Sequence, residues 1–486
     1  MNSQDKIEPW VWRITGVVIV GMIMSILDTT IVNVALHTLS EDLGTTLAQI
    51  QWVATGYLLA LAAVIPLTGW SARRFGAKRV YLISVALFTL GSALCGISDS
   101  STQLILFRVL QGLGGGMIMP LAQMIIAEVA GPKRMGRVMG VVVMPAMLAP
   151  ILGPIVGGLI LQNLHWSWIF FVNVPIGILA FALASRMLPD SELGEAGELD
   201  WVGLLLMVTS MPLIVFGLAE IGSQGSFTAP TVIWPIVGGL VLTGVFGWHA
   251  LRVKRPLLDV RLYANRVFAA ASLTTFGLGA ALFGGMILLP LYYQEVRGES
   301  VILTGLLVGP QGLGMISVAP FTARLTERFG GGRVAFVGIV LLSLTTLPLT
   351  FIGAGTSIAG ISLLLVLRGA GIGLSFLPTT TVAFASLRTD QLSDATPQMN
   401  VLQRVGGAIG TAVLAVVLQR AAEGAHTADQ LAGAFGTAFW WAFGISVLSL
   451  IPVLVLFRAE NQRAPTAPAA REVEEVAESE VEPLGV

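Results

Sequence analysis

Apolar stretches of about twenty residues follow one another along most of this chain, separated by short polar or basic breaks. No other feature constrains the fold as much. A helix needs about 20 residues at 1.5 Å each to match the hydrocarbon core of a bilayer. Inside hydrocarbon every backbone N–H and C=O must be satisfied by the protein itself, so spans of this length are helices. Composition agrees. The 486 residues are 55% hydrophobic and 11% charged, with a mean hydropathy of +0.83. Soluble domains carry about 25% charged residues. The expected fold class is therefore an all-α membrane protein, with the lipid bilayer as its solvent. The net charge of −1 gives no reason to expect a nucleic-acid partner. One cysteine, Cys95, excludes an internal disulfide or a cysteine metal cage. The four histidines form no HExxH pattern, so no metal site is expected. The first apolar run lacks a small-residue cleavage site and reads as a retained helix.

The runs place fourteen helices at 12–36, 51–70, 80–97, 103–128, 138–161, 166–187, 201–221, 232–251, 267–293, 301–323, 334–352, 358–385, 399–419 and 435–457. The basic residues test this count. With a cytoplasmic N-terminus, 22 of the 27 Lys and Arg residues fall on the cytoplasmic side, and only Arg297 and Arg420 fall outside. Arg108, Arg368 and Arg404 lie within spans. That asymmetry follows the positive-inside rule and puts both termini in the cytoplasm of a cell-membrane protein.

The chain also repeats. "GWSARRFGAKRV" (Gly69 to Val80) follows the second helix, and "ARLTERFGGGRV" (Ala323 to Val334) follows the tenth. Both read as short basic loops, candidates for cytoplasmic gates through Gly69, Arg73, Arg74, Gly76, Glu327 and Arg328. "LILFRVLQGLGGGMIMP" opens the fourth helix, and "LLLVLRGAGIGLSFLP" lies in the twelfth. An offset of eight helices implies two six-helix halves and a two-helix insert. The expected organisation is a cytoplasmic N-terminus 1–11, a first half 12–187, an insert with linkers 188–266, a second half 267–457 and a disordered tail 458–486. "GLGGG" and "GAGIG" lie inside apolar helices rather than after a strand, so they fit close helix packing better than nucleotide binding.

These residues resemble the fourteen-span drug/proton antiporters of the major facilitator superfamily. "LDTTIVNVAL" is similar to their first-helix motif, "GWSARRFGAKR" to the loop after helix 2, and "RVLQGLGGG" to the fourth-helix motif. "GPIVGG" resembles the fifth-helix antiporter motif, "WSWIFFVNVPIG" the start of the sixth helix, and "NVLQRVGGAIG" part of the thirteenth. The resemblance covers about residues 10–457. It implies the major facilitator fold, efflux of small amphipathic drugs, and a proton rather than a cofactor as the coupling species. It also implies that Gly140, Gly153, Pro154, Gly157 and Gly158 carry the antiporter motif. Two departures are present. Arg73 stands where the superfamily expects an Asp, and Ala149 replaces a glycine.

Asp28 and Arg108 are charges inside spans. Asp28 lies ~21 Å from the inner end of its helix, or roughly 9 Å from the outer face of a ~30 Å core. Arg108 lies roughly 7 Å from that same face. Burial favours the neutral acid and a nearby guanidinium favours the carboxylate. A group pulled both ways can change protonation as its exposure changes, which is what proton coupling requires. The alternative is a static ion pair that fixes helix packing. Arg368 carries the same two readings, a cavity charge or a partner to carbonyls. Glu128 and Glu220 read as solvated helix ends. Asn33, Gln51, Trp52, Tyr57, Gln111, Gln123, Gln294 and Gln311 are candidate cavity residues, because drug sites are apolar with a few polar groups.

No GxxxxGK[ST] loop occurs, so neither a nucleotide nor a primary pump is expected, and nothing suggests an enzyme. The leading function is proton-driven export. The alternatives are an exporter of one dedicated substrate, such as a lipid, siderophore or self-made antibiotic, and a non-transporting sensor. A monomer is expected.

Overall fold

A computed structural model of the chain describes residues 8–190, 197–224, 228–388 and 391–463. The side chains at 131–137, 139–151 and 154 fall outside the described residues, and so does the tail from 464. Every regular element among the described residues is helical. The first bundle comprises α1 (Pro9–Asp42), α2 (Leu47–Val64), α3 (Thr68–Phe75), α4 (Ala77–Gly96), α5 (Ser101–Asn163), α6 (Trp168–Phe171) and α7 (Asn173–Met187). Two helices follow, α8 (Trp201–Gln224) and α9 (Pro230–Arg252). The second bundle comprises α10 (Arg266–Leu291), α11 (Val301–Phe329), α12 (Gly331–Thr346), α13 (Ile358–Ala385), α14 (Leu392–Ala422), α15 (Ala428–Leu448) and α16 (Leu450–Arg463).

Thirteen helices among the described residues are long and apolar enough to cross a membrane. The fourteenth expected span, 138–161, belongs to the long run α5, much of which lies outside the described side chains. Contacts show how that run is folded. Arg108 bonds Asp28, and the backbone of Gly153 lies against Thr30. A straight helix would separate residues 108 and 153 by ~68 Å. Asp28 and Thr30 are two residues apart, so α5 turns back on itself between them.

The internal repeat is visible atom by atom. Gly112 and Gly116 of α5 rest on the carbonyls of Tyr57 and Leu61 in α2. Gly369 and Gly373 of α13 rest in the same way on the carbonyls of Gln311 and Met315 in α11. Gly114 abuts Ser84 and Phe88 of α4, and Gly371 abuts Gly338 and Leu342 of α12. In this register Gln111 corresponds to Arg368, and Tyr57 to Gln311.

The two basic segments differ from expectation. They are not loops. α3 carries the helix through Arg73 and Arg74 to Phe75, and α11 runs on through Arg328 to Phe329. Their arginines and aromatics suit the membrane surface, so nothing there stops the helix. Each run ends at one glycine with positive φ, Gly76 at +86° and Gly330 at +85°. Side chains other than hydrogen are strained in that conformation. Residues 458–463, expected as the start of a disordered tail, are helical. α16 stays helical to Arg463, and the Glu460 carboxylate accepts from the N–H groups of Gly331 and Gly332 at 2.9 and 2.6 Å. A carboxylate at a helix start satisfies two otherwise unpaired donors, which holds this turn in place.

α8 packs on both α2 and α14, and α9 packs on the far side of α8. The pair expected as an insert thus meets helices of both bundles through α8. Its aromatic residue Phe216 stacks on Trp52 with ring centroids 5.7 Å apart.

Glycine contacts of this kind leave no room for a methyl group. Gly369→Ala would drive a Cβ into the carbonyl of Gln311, whereas Gly244 has open space around it. Overpacking costs about 1–3 kcal/mol. Gly369→Ala should lower the melting temperature of purified protein in detergent by several degrees, and Gly244→Ala should leave it unchanged or slightly raised. Equal melting of the two variants would contradict the packing described.

Candidate functional site

Asp28 is fully buried in α1, at 0% exposure, and Arg108 in α5 is 1% exposed. Two helices bring three donors to the acid. Arg108 Nη1 donates to Asp28 Oδ2 at 2.6 Å. Gln111 Nε2, one turn along α5, donates to Oδ1 at 2.9 Å. Asn173 Nδ2, at the start of α7, donates to Oδ1 at 2.8 Å. The glycines beside Gln111 explain the approach. Gly112 and Gly116 let α5 lie directly on α2, Gly114 lets it lie on α4, and Gly91 of α4 sits against the Gln111 backbone.

The guanidinium is satisfied on several sides. Arg108 Nε donates to the Val53 carbonyl at 3.2 Å, and Nη1 also reaches Gln111 Oε1 at 2.7 Å. The Tyr57 ring lies 4.1 Å beneath the guanidinium carbon, a cation–π contact, and the Phe170 ring is 5.8 Å away. Cys95 Sγ lies 3.7 Å from Gln111 Oε1. The result is a closed, charge-balanced cluster of one acid, one cation and two amides in the interior of the first bundle. Among the described residues no group of histidine, cysteine and acidic side chains could hold a metal ion here.

A second site joins the bundles. Arg73 Nη1 of α3 donates to Asp394 Oδ1 at 2.9 Å and to Ser393 Oγ at 2.7 Å, both at the start of α14. Gly69 lies against the Ser393 carbonyl, so the two helices touch backbone to backbone. Deeper in, Asn400 Nδ2 donates to Gln123 Oε1 at 2.8 Å, linking α14 to α5.

Comparison with known proteins fits this architecture. Residues 18–411 match the Major Facilitator Superfamily. The chain belongs to that superfamily. It is a multi-pass membrane transporter rather than an enzyme. It is 38% identical over 418 residues to a protein of Mycobacterium tuberculosis named multidrug resistance protein B homolog, covering 85% of this chain and 77% of that one. It is 32% identical over 394 residues to the multidrug export protein EmrB of Haemophilus influenzae, covering 80% and 77%. Among solved structures, the proton:xylose symporter XylE is 14% identical, with a TM-score of 0.63 over 91% of this chain and 94% of that one. At that identity the likeness is one of fold.

Within this major facilitator fold the sequence-predicted residues separate into groups. Tyr57 and Gln111 join Asp28 and Arg108 in one cluster. Gln123 bridges the bundles. Gln311 accepts from Arg368 Nη1 at 2.9 Å. Arg368 also donates to the Ala281 carbonyl at 3.1 Å and is 1% exposed. It thus ties α10, α11 and α13 together. Asn33, Gln51 and Gln294 are exposed, and Trp52 faces the insert. Of the antiporter motif, Gly153 and Gly157 lie against Thr30 and Ile31 of α1, and Gly158 is half-buried. Gly140 and the side chain of Pro154 lie outside the described residues. Arg74, Glu327 and Arg328 are exposed.

Asn173, Ser393, Asp394 and Asn400 are absent from the sequence-based set. The one available signal for Asn173 was its place in "FFVNVPIG", a lone amide among apolar residues. Asp394 lies 321 residues from its partner, and no local pattern joins them.

Removing one member of a buried pair strands the other, at about 3–5 kcal/mol, whereas removing both is often nearly neutral. Asp28→Leu and Arg108→Leu should each lower thermal stability sharply, and the double variant should melt above either single one. Additive losses in this cycle would mean that the two charges do not stabilise each other.

Proposed function

We propose that this transporter exports small amphipathic molecules, including drugs, across the cytoplasmic membrane in exchange for protons. The observation that carries the reading is the Asp28 carboxylate, buried without solvent contact and balanced by one guanidinium. Ionisable groups at such depth are expensive and are retained for function. The names of the two curated relatives, a multidrug resistance protein and a multidrug export protein, support drugs as substrates. The bias of Lys and Arg to one face supports a cytoplasmic position for both termini.

In this reading α1–α7 and α10–α16 are the two moving halves, and 201–251 is an insert. Substrate passes between the halves, near Asn33, Gln123 and Gln311. The Arg73–Asp394 bridge and the Gly69–Ser393 contact close the cytoplasmic side. Proton uptake on Asp28 weakens its hold on Arg108 and so biases the halves toward the opposite opening. The energetics suffice. A hundredfold gradient of a neutral drug costs about 2.7 kcal/mol. One proton crossing ~100 mV yields about 2.3 kcal/mol, and one pH unit adds about 1.4.

Asp28→Asn should abolish uphill dye efflux from cells while the protein still reaches the membrane at wild-type level. A protonophore should abolish wild-type efflux to the same extent. Normal efflux by a well-expressed Asp28→Asn variant would sink the proposal.

The cytoplasmic bridge has its own test. Arg73→Asp sets two carboxylates face to face and should lower efflux roughly tenfold. Adding Asp394→Arg restores an opposite-charge pair and should recover most of it. No recovery in the swapped double variant would show that the bridge does not close the transporter.

A further inference from the structure

All three described partners of the Asp28 carboxylate are N–H donors: Arg108 Nη1, Gln111 Nε2 and Asn173 Nδ2. That arrangement suits the ionised acid. A protonated Asp28 carries an O–H that must itself donate, and a buried donor left without an acceptor is costly. One neighbour must therefore be able to reverse.

The neighbours differ in this ability. Arg108 has donors only. Gln111 has an acceptor, but its Oε1 already receives Arg108 Nη1 and the Cys95 thiol. Turning that amide would set its NH2 against the guanidinium. Tyr57 of α2 lies under the guanidinium, and its hydroxyl pairs with Ser25 Oγ at 3.4 Å. Asn173 is placed otherwise. Its Nδ2 sits between Asp28 Oδ1 at 2.8 Å and Ser92 Oγ at 3.1 Å. Ser92 in turn donates to the Phe170 carbonyl at 2.9 Å. A hydroxyl both donates and accepts, and its hydrogen rotates freely.

We propose that Asn173 and Ser92 form a two-way hydrogen-bond switch that satisfies Asp28 in both protonation states. The inference rests on the proton-coupling reading above. With Asp28 ionised, the Asn173 amide donates to it, as seen. With Asp28 protonated, the amide turns by half a revolution about its terminal bond. Asp28 Oδ1–H then donates to Asn173 Oδ1. The Ser92 hydroxyl leaves the Phe170 carbonyl and donates to the same amide oxygen. No covalent bond other than the new O–H changes. Arg108, Tyr57 and Cys95, the other charged or titratable groups facing the acid, keep their partners. Asn173 is thus a positioning residue, and the acid can load a proton without first tearing apart its buried cluster.

Infrared difference spectra test this on purified full-length protein carrying carbon-13 in its asparagine side chains, with the pH stepped from about 4 to 10. The expected result is a protonated-carboxyl band, absent in Asp28→Asn, that rises together with a shift in an asparagine amide band. Both should share one midpoint, and the amide change should vanish in Asn173→Leu. Where Asn173→Leu fails to fold, Ser92→Ala assigns the band, because losing the hydroxyl shifts its frequency at both ends of the titration. The midpoint of proton release supplies a second readout. A one-way donor stabilises only the ionised acid, so Asn173→Leu would then raise the midpoint by about one pH unit or more. A two-way switch serves both forms, so the midpoint should move by less than about half a unit. An Asp28 band that titrates with no asparagine change, or a midpoint raised by a full unit, would overturn the switch and leave proton coupling standing. No Asp28 carboxyl band anywhere in the range would overturn the coupling role and the switch together.

Discussion

Helices surrounded by hydrocarbon gain little by hiding apolar side chains from one another, because lipid tails are equally apolar. What remains is close contact, and close contact between backbones needs glycine. This chain has 56 glycines, and many stand where two helices meet. Gly112, Gly114 and Gly116 let α5 lie on α2 and α4, and Gly369, Gly371 and Gly373 do the same for α13 on α11 and α12. Gly406 and Gly410 seat α14 against the carbonyls of Phe276 and Ala280 in α10. The charged cluster depends on this packing. Only when α5 lies that close to its neighbours can Arg108 and Gln111 reach α1, and only then is water excluded from Asp28.

The two bundles repeat their packing and differ in chemistry. Gln111 in the first bundle and Arg368 in the second occupy matching positions, each one turn from a glycine that touches a neighbouring carbonyl. The first position serves a carboxylate. The second holds a cation tied to Gln311, Thr346 and the Ala281 carbonyl, all neutral groups. One bundle therefore buries an acid paired with a cation, and the other buries a cation among neutral groups. The difference between the bundles rests on these few side chains, with the packing held in common.

Much of this was legible in the sequence. Apolar length located thirteen of the fourteen expected spans among the described residues, and the paired Arg-Phe-Gly segments exposed the repeat. The shared depth of Asp28 and Arg108 followed from counting residues along two helices. The finer assignments were not legible, for a physical reason. A helix that is apolar all round carries no amphipathic stripe, so its rotation about its own axis is undetermined by pattern. Eight residues were therefore equivalent on paper, although only Gln111 reaches the acid and Tyr57 its arginine, while Asn33, Gln51 and Gln294 are exposed. Asn173 looked like an ordinary residue at a helix start. Arg73 looked like a defect in a motif, because Asp394, which makes it a bridge, is far away in the chain.

The position of α8 has a mechanical consequence. An apolar cluster runs from Ala62 on α2 through Met207, Met211, Ile214 and Leu218 on α8 to Ala412 and Val416 on α14. Any motion that parts α2 from α14 must slide one of them along α8. Methionine is well suited to such a contact, since its unbranched, polarisable side chain adapts to a shifting partner at little cost. The contact of α8 with its two neighbours is therefore one that can shift without breaking.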